Sequence, residues 1–471
     1  MAYSWYEEDF ADFLLKHNLP VYDRSFDIKR FYQSEMDRFI SDYNAMLVLN
    51  KHRSHPEPFY EALDEARNDI MANIKDIENV LKYYDEANYE LSQNIFDSLM
   101  ERIKGDLLLR TINGVSRYNP QLYRIRTVTT NNELKKPADL FHIPFTKRHL
   151  ITNERYSLAG TPCLYLATSL GIAWQECGYP SKFYFSEYQY QYKSDPAGAW
   201  DYDNEWKFIT FLSPRQVAHD CLVAINKDDD ERRQKFICSY IKTYPLLLAC
   251  SIVNLSGHSV FKQEYIIPQM LLQWVRRNIA TIRGITYFSC MDNDDLRSIN
   301  GYNVVIPAIK CSNKGYCKEL SKRFKVSKPS YCDNSLDKSE HEKIVSFKNE
   351  LLENINAFPF ETMDCILAMY EASNCFDNLV NRTDSTDMKL VVEIIRAIHK
   401  NCDYIREKYR KDDLMEKIHK SVVSAGKNDR IDLFSKYYDR FFNDVDAVIS
   451  NYDLAIEKII APEITSFYTI R

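Results

Sequence analysis

Arg155–Glu176, RYSLAGTPCLYLATSLGIAWQE, is the stretch from which the fold of this chain reads outward. Arg155, Tyr165 and Glu176 fall ten and then eleven residues apart. Between them lie a Gly160-Thr161-Pro162 turn, the short apolar run Cys163–Ala167, and a segment with the composition of the first turns of a helix. A cation, an aromatic ring and a carboxylate are therefore expected on one loop–strand–helix unit. A guanidinium pairs with pyrophosphate, a ring stacks on a flat heterocycle, and a carboxylate stabilises a developing oxocarbenium. Those are the groups needed to hold a dinucleotide and attack its glycosidic bond.

Glycine marks the surrounding architecture. Ten of the 11 glycines lie between Gly105 and Gly315, and the remaining one is Gly426. Glycine is unfavourable inside helices and useful in turns and close backbone approaches, so the middle of the chain is predicted to be turn-rich and mixed, with helical flanks. Periodicity agrees. Phe31, Met36, Phe39, Ile40, Tyr43 and Leu47 follow a helical repeat, as do Ile70, Ile74, Ile77 and Leu81. Strands are expected at Tyr123–Val128, Cys163–Ala167, Phe183–Tyr192, Lys207–Leu212, Ile285–Ser289 and Asn303–Pro307. Helices are expected at Ser169–Cys177, Pro214–Ile225, Glu231–Val253 and Pro268–Ala280. This irregular order argues for a compact α+β core rather than a doubly wound sheet. The predicted organisation is an N-terminal helical domain (1–117), a catalytic domain (118–311), a linker rich in Lys and Ser (312–338) and a C-terminal helical domain (339–471).

Composition excludes several classes. The chain has 471 residues, 45% hydrophobic and 27% charged, which is ordinary for a folded protein. Its net charge of −6 argues against a dominant nucleic-acid surface. Residues 1–117 carry 14 Lys/Arg against 22 Asp/Glu, the pattern of a solvated helical surface. Apolar runs such as Leu246–Val253 are too short to span a bilayer, and the acidic MAYSWYEEDF is unlike a signal peptide, so a cytoplasmic protein is expected. The 12 cysteines include no CxxC pair, which disfavours a zinc site even at Cys311, Cys317 and Cys332; reduced thiols and no metal are expected. Neither GxxxxGK[ST] nor a post-strand GxGxxG occurs, so a nucleotide would have to be held by side chains. No histidine has an arginine five to seven residues before it, which removes the signature of helical HEPN-type nucleases.

The segment 118–310 resembles the RES domain, a family named for arginine, glutamate and serine. Tyr123-Arg124-Ile125-Arg126 is similar to its opening strand, Arg155-Tyr156-Ser157 takes the place of its GRW core, and Leu164-Tyr165-Leu166 and Ala173-Trp174-Gln175-Glu176 match its strand tyrosine and helix glutamate. Glu154 and Tyr156 depart from the usual glycine and tryptophan. The late serine is best matched by Ser289.

The resemblance implies an ADP-ribosyltransferase-like fold that uses NAD+ as substrate. Glu176 would be the catalytic carboxylate, Arg155 the pyrophosphate clamp and Tyr165 the nicotinamide wall. Ser289 would bind a ribose hydroxyl or phosphate oxygen. Arg124 and Arg126 are expected on opposite sides of their strand, leaving Arg124 for the pocket. On the helix Glu264–Arg277, Gln269, Gln273 and Trp274 are within possible reach of a ligand, although a core helix is the plainer reading. The resemblance further implies cleavage of the nicotinamide–ribose bond by a toxin or anti-phage effector, an NAD+ glycohydrolase if water is the acceptor or an NAD+ phosphorylase if inorganic phosphate is. An Xre-type antitoxin or phage-derived trigger and a homo-oligomer are the expected partners, with no membrane or nucleic acid. A protein ADP-ribosyltransferase and an inactive RES-like scaffold remain open alternatives.

Overall fold

A computed structural model of the chain describes residues 5–25, 27–51, 58–112, 121–128, 134–168, 170–178, 180, 182–191, 205–223, 230–255, 261–290, 302–310, 315–333, 339–354, 357–358, 362–382, 401–422, 429–460 and 467–469. The fold is α+β, with helical segments on either side of a large sheet.

The N-terminal part contains α1 (Trp5–Lys16), β1 (Val21–Asp23), α2 (Ile28–Lys51), α3 (Pro58–Asp85) and α4 (Tyr89–Ile103). Met36, Phe39, Tyr43 and Leu47 of α2 are buried, as are Ile70, Ile74, Ile77 and Leu81 of α3, so the helical repeats face inward. Asn88 caps α4 by accepting from the Leu91 amide at 3.3 Å.

The sheet is built from β2 (Leu109–Thr111), β3 (Gln121–Thr127), β4 (Cys163–Ala167), β5 (Lys182–Tyr190), β6 (Lys207–Thr210), β8 (Ile282–Tyr287), β9 (Asn303–Pro307), β10 (Phe324–Ser327), β11 (Ser330–Asp333) and β12 (Phe467–Thr469). Its order is β12-β10-β5-β3-β4-β9-β8-β6-β2, with β11 also on β5. The β6–β8 pair is parallel and the others are antiparallel. β7 (Ile252–Asn254) lies apart and pairs in parallel with β1. The helices of this region are α5 (Leu170–Glu176), α6 (Pro214–Val223), α7 (Asp230–Ala249), α8 (Ile266–Arg277) and the short α9 (Lys318–Arg323). Gly284 lets β8 nest between its neighbours: a Cβ there would stand 2.3 Å from the Val305 carbonyl oxygen and 3.1 Å from the Phe208 ring.

Strands β3 and β4 share one registered pair, Tyr123↔Ala167. β3 and β5, by contrast, are registered from Gln121↔Gln189 through Thr127↔Phe183. The sheet therefore parts beyond Tyr123, and that opening positions the candidate site.

Of the segment 312–338, read from composition as a linker, residues 315–333 are described. Those residues hold α9, β10 and β11, and both strands pair antiparallel with β5. The Glu231–Val253 helix ends earlier than its apolar run predicts, at Ala249, and β7 follows. The expected boundary at 117 falls in a segment outside the described residues. The hydrophobic core crosses it, joining Phe10 through Leu107 with Phe211 through Val305.

The C-terminal helices are α10 (Ser339–Glu353), α11 (Met363–Arg382), α12 (Lys411–Val422) and α13 (Asp429–Ile460). Residues 401–408 are helical as well. This bundle shares a core with α5 and the odd-numbered face of β3: Ile344, Phe347 and Phe441 are buried in one cluster with Ala173, Trp174 and Ile125. No helix among the described residues is long and apolar enough to cross a membrane.

Candidate active site

A cavity of about 610 Å³ lies where β3 and β4 part, and Arg124, Arg155, Tyr165 and Glu176 all line it. The Arg155–Glu176 unit thus does converge on one space. Gly160 adopts a φ of +74°, a left-handed conformation in which glycine avoids the Cβ clash, and the chain then turns through Pro162 into β4.

Arg155 stands on a small closed turn. The Glu154 amide donates to the Ser157 carbonyl at 2.9 Å, and the Ser157 amide donates back at 3.2 Å. Gln269 of α8 holds this turn from behind, its Nε2 donating to the carbonyls of Glu154 (3.0 Å) and Ser157 (3.5 Å). The guanidinium is fixed as well. Arg155 Nη1 donates to the carbonyls of Ile252 (2.9 Å) and Cys250 (3.3 Å), and its Cζ lies 5.2 Å from the centre of the Tyr265 ring. Those two carbonyls lie in β7 and the α7–β7 connection. Pairing of β7 with β1 ties the arginine's anchor to the N-terminal region. Tyr156 is buried, its ring 4.7 Å centre to centre from the Tyr287 ring.

Tyr165 projects from the middle of β4, with its hydroxyl 2.9 Å from Ser157 Oγ. Burial raises its pKa well above the ordinary phenol value, so it stays a neutral hydroxyl. Glu176 is the last residue of α5. Its Oε1 accepts from Ser289 Oγ at 2.6 Å and from Asn303 Nδ2 at 2.8 Å. Burial pushes the carboxyl pKa up. The two hydrogen bonds and the charge of Arg155 oppose that rise without cancelling it. Asn303 is set in place at the start of β9 by a reciprocal pair: the Tyr302 amide donates to Thr168 Oγ1 (2.8 Å) and the Thr168 amide to the Tyr302 carbonyl (2.9 Å). Cys290, also lining the cavity, is a buried thiol whose pKa is raised by desolvation, which disfavours a thiolate nucleophile.

Ser289 sits beyond the end of β8 and touches Glu176. Arg124 is half-buried, and its Nη1 is shielded from solvent with no partner among the described residues. The expected separation of Arg124 from Arg126 has a different origin from strand alternation, because residues two apart share a face. Arg126 stands further along β3, is exposed, and donates to the Asp139 carbonyl at 2.9 Å. Of the three α8 residues, Gln269 supports the turn and Trp274 is core, while Gln273 is half-buried and does not line the cavity. Sequence reasoning missed Asn303, Ser157 and Tyr265 as members of the site. An asparagine opening the otherwise apolar strand NVVIP was the one available signal. Cys311 lies outside the described residues, and no group of three His, Cys, Asp or Glu among the described residues could hold a metal.

The arrangement offers a half-buried carboxylate with one oxygen committed to two neutral donors, a fixed guanidinium, and a neutral phenol. It can place negative charge against a developing cation while holding an anionic group nearby. No protein-family model and no solved structure matches the chain. The chain is 31% identical over 273 residues to a Bacillus subtilis (strain 168) protein named "Putative toxin YopC", a match covering 56% of this chain and 58% of that protein. The chain thus spans little more than half the length of the curated relative it matches.

Proposed function

We propose that this chain is a toxin that cleaves the nicotinamide–ribose bond of NAD+. The observation that carries the reading is the Glu176 carboxylate. Oε1 is held by Ser289 and Asn303, and Oε2 has no hydrogen bond among the described residues, in a cavity also lined by Arg155 and Tyr165. A preorganised carboxylate of this kind stabilises the oxocarbenium-like ribosyl centre that limits the reaction. The C1′–N bond breaks and its electron pair leaves with nicotinamide, neutralising the pyridinium. Water then adds to C1′, giving ADP-ribose and a proton released to solvent. Arg155, with Arg124 across the cavity, would pair with the pyrophosphate, and Tyr165 would wall the nicotinamide. The name of the relative supports the toxin part of the reading. A chain that depletes NAD+ must be restrained in its host; a small Xre-type antitoxin would restrain it, and in a self-gated chain a phage-derived trigger would release it.

The test is nicotinamide release from NAD+ by the purified full chain, with Glu176→Ala and Arg155→Ala beside it. Release by the wild type and not by the variants is the expected result; equal inertness of all three would sink the proposal. Analysis of the ribosyl product distinguishes the acceptor: free ADP-ribose means water, a phosphorylated product means inorganic phosphate, and label retained on protein means transfer.

A further inference from the structure

Glu264 lies on the one-turn 3-10 helix Gln263–Tyr265 at the wall of the same cavity. It is buried, at 9% exposure, and its carboxylate accepts no hydrogen bond from any described residue. Its oxygens are not sealed from the cavity, so the carboxylate is open to hydroxyl donors that a ligand brings there. The other charged groups lining the cavity are Arg124, Glu154, Arg155, Glu176 and Lys262. Lys262 Nζ lies 3.1 Å from the Tyr265 hydroxyl and 4.8 Å from that ring's centre, and Arg155 lies over the same ring. The turn that carries Glu264 is therefore adjacent to the guanidinium assigned to the pyrophosphate.

We propose that Glu264 determines specificity, accepting from the hydroxyls of the adenosine ribose and rejecting a dinucleotide phosphorylated there. The inference rests on the NAD+ reading above. With the pyrophosphate on Arg155, one ribose extends toward Glu176 and the other toward the Gln263–Tyr265 turn. A dinucleotide has few donors to offer a second carboxylate, and a ribose diol supplies two. A 2′-phosphate at that position replaces a donor by a dianion facing a carboxylate, a like-charge contact that disfavours binding. Acidic side chains that accept from a ribose 2′-hydroxyl discriminate nicotinamide dinucleotides on this physical basis in other folds.

The experiment compares kcat/KM for NAD+ and NADP+ by nicotinamide release, using the full chain, Glu264→Gln and Glu264→Asp. The wild type is expected to prefer NAD+ by about 100-fold, the scale of a close like-charge penalty. Glu264→Gln should cut that preference by about 10-fold or more, chiefly by lowering KM for NADP+, since the amide keeps its shape and loses its charge. Glu264→Asp should retain the preference. Ligand-induced melting shifts with NAD+ and NADP+ on the Glu176→Gln background give the same comparison without turnover. An unchanged preference in Glu264→Gln, or equal loss on both substrates, overturns the assignment while wild-type cleavage of NAD+ leaves the broader reading standing. Absence of release from either substrate by the wild type removes both.

Discussion

The Ser289 hydroxyl lies 2.6 Å from Glu176 Oε1, so the serine that follows β8 is bonded to the glutamate that ends α5. Asn303 shares that oxygen from the first position of β9. Two adjacent strands and a helix therefore converge on one carboxylate. The donors favour its anion in a place where burial disfavours it.

Replacing Ser289 by alanine should lower kcat for NAD+ cleavage by about 10- to 100-fold, the scale of one hydrogen bond to a charged group. The same variant should move the acid limb of the pH profile to higher pH, because removing a donor to the anion raises the carboxyl pKa further. A serine that only contacts substrate would raise KM and leave the acid limb in place, so the pH dependence of kcat separates the two roles.

The pH dependence of the wild type follows from the same shift. The useful form of Glu176 is the carboxylate, and its pKa is raised by burial. Activity should therefore fall as pH falls through a value above the ordinary carboxyl range of about 4.3. A profile of kcat/KM that stays flat down to that ordinary range would contradict the burial of a working carboxylate.

Glu176→Gln should lose about 1,000-fold in kcat, comparable to removal of a preorganised electrostatic group. It should also melt higher than the wild type at neutral pH. A carboxyl whose folded pKa is raised contributes stability below its unfolded pKa, and that contribution is lost as pH rises through the folded one. The melting difference should accordingly shrink toward zero as the buffer is made acidic. Scanning calorimetry across pH checks the sign.

Gln269→Ala leaves the buried side of the Glu154–Ser157 turn without its Nε2 donor. The expected cost is about 1–3 kcal/mol of stability. Because Arg155 sits on that turn, KM for NAD+ should rise more than kcat falls. Urea denaturation and steady-state kinetics on one preparation measure both.

Phe347→Ala in α10 should destabilise the chain by about 3–5 kcal/mol, as for other buried aromatic truncations. Phe347 is fully buried in the cluster that also contains Trp174, two residues before Glu176. Activity should be lost with the melting transition of this variant. Full NAD+ cleavage by a chain lacking 339–471 would show that α5 does not need this support.

Much of the architecture was legible because burial imposes periodicity. The strand Cys163–Ala167 and the strand Asn303–Pro307 were read to the residue, since both faces of each are covered and their apolar runs have sharp ends. The helices of both flanks were legible from stripes such as Ile70, Ile74, Ile77 and Leu81. Short edge elements were not. β7 hides inside an apolar run that continues α7, and β10, β11 and β12 are too brief to carry a period.

By itself the sequence determined that an arginine, a tyrosine and a glutamate share one loop–strand–helix unit, because ten and eleven residues of chain with a glycine-proline turn leave little else for them to build. Tertiary structure alone decided what those groups face and what holds them. The carbonyls of Cys250 and Ile252 reach Arg155 from about a hundred residues away, and Ser289 and Asn303 reach Glu176 across more than a hundred. Such contacts have no periodic trace in a chain, since a backbone carbonyl is the same chemical group at every residue and a single polar side chain makes no pattern. They exist only once the sheet has parted between β3 and β4 and both helical flanks have packed against it.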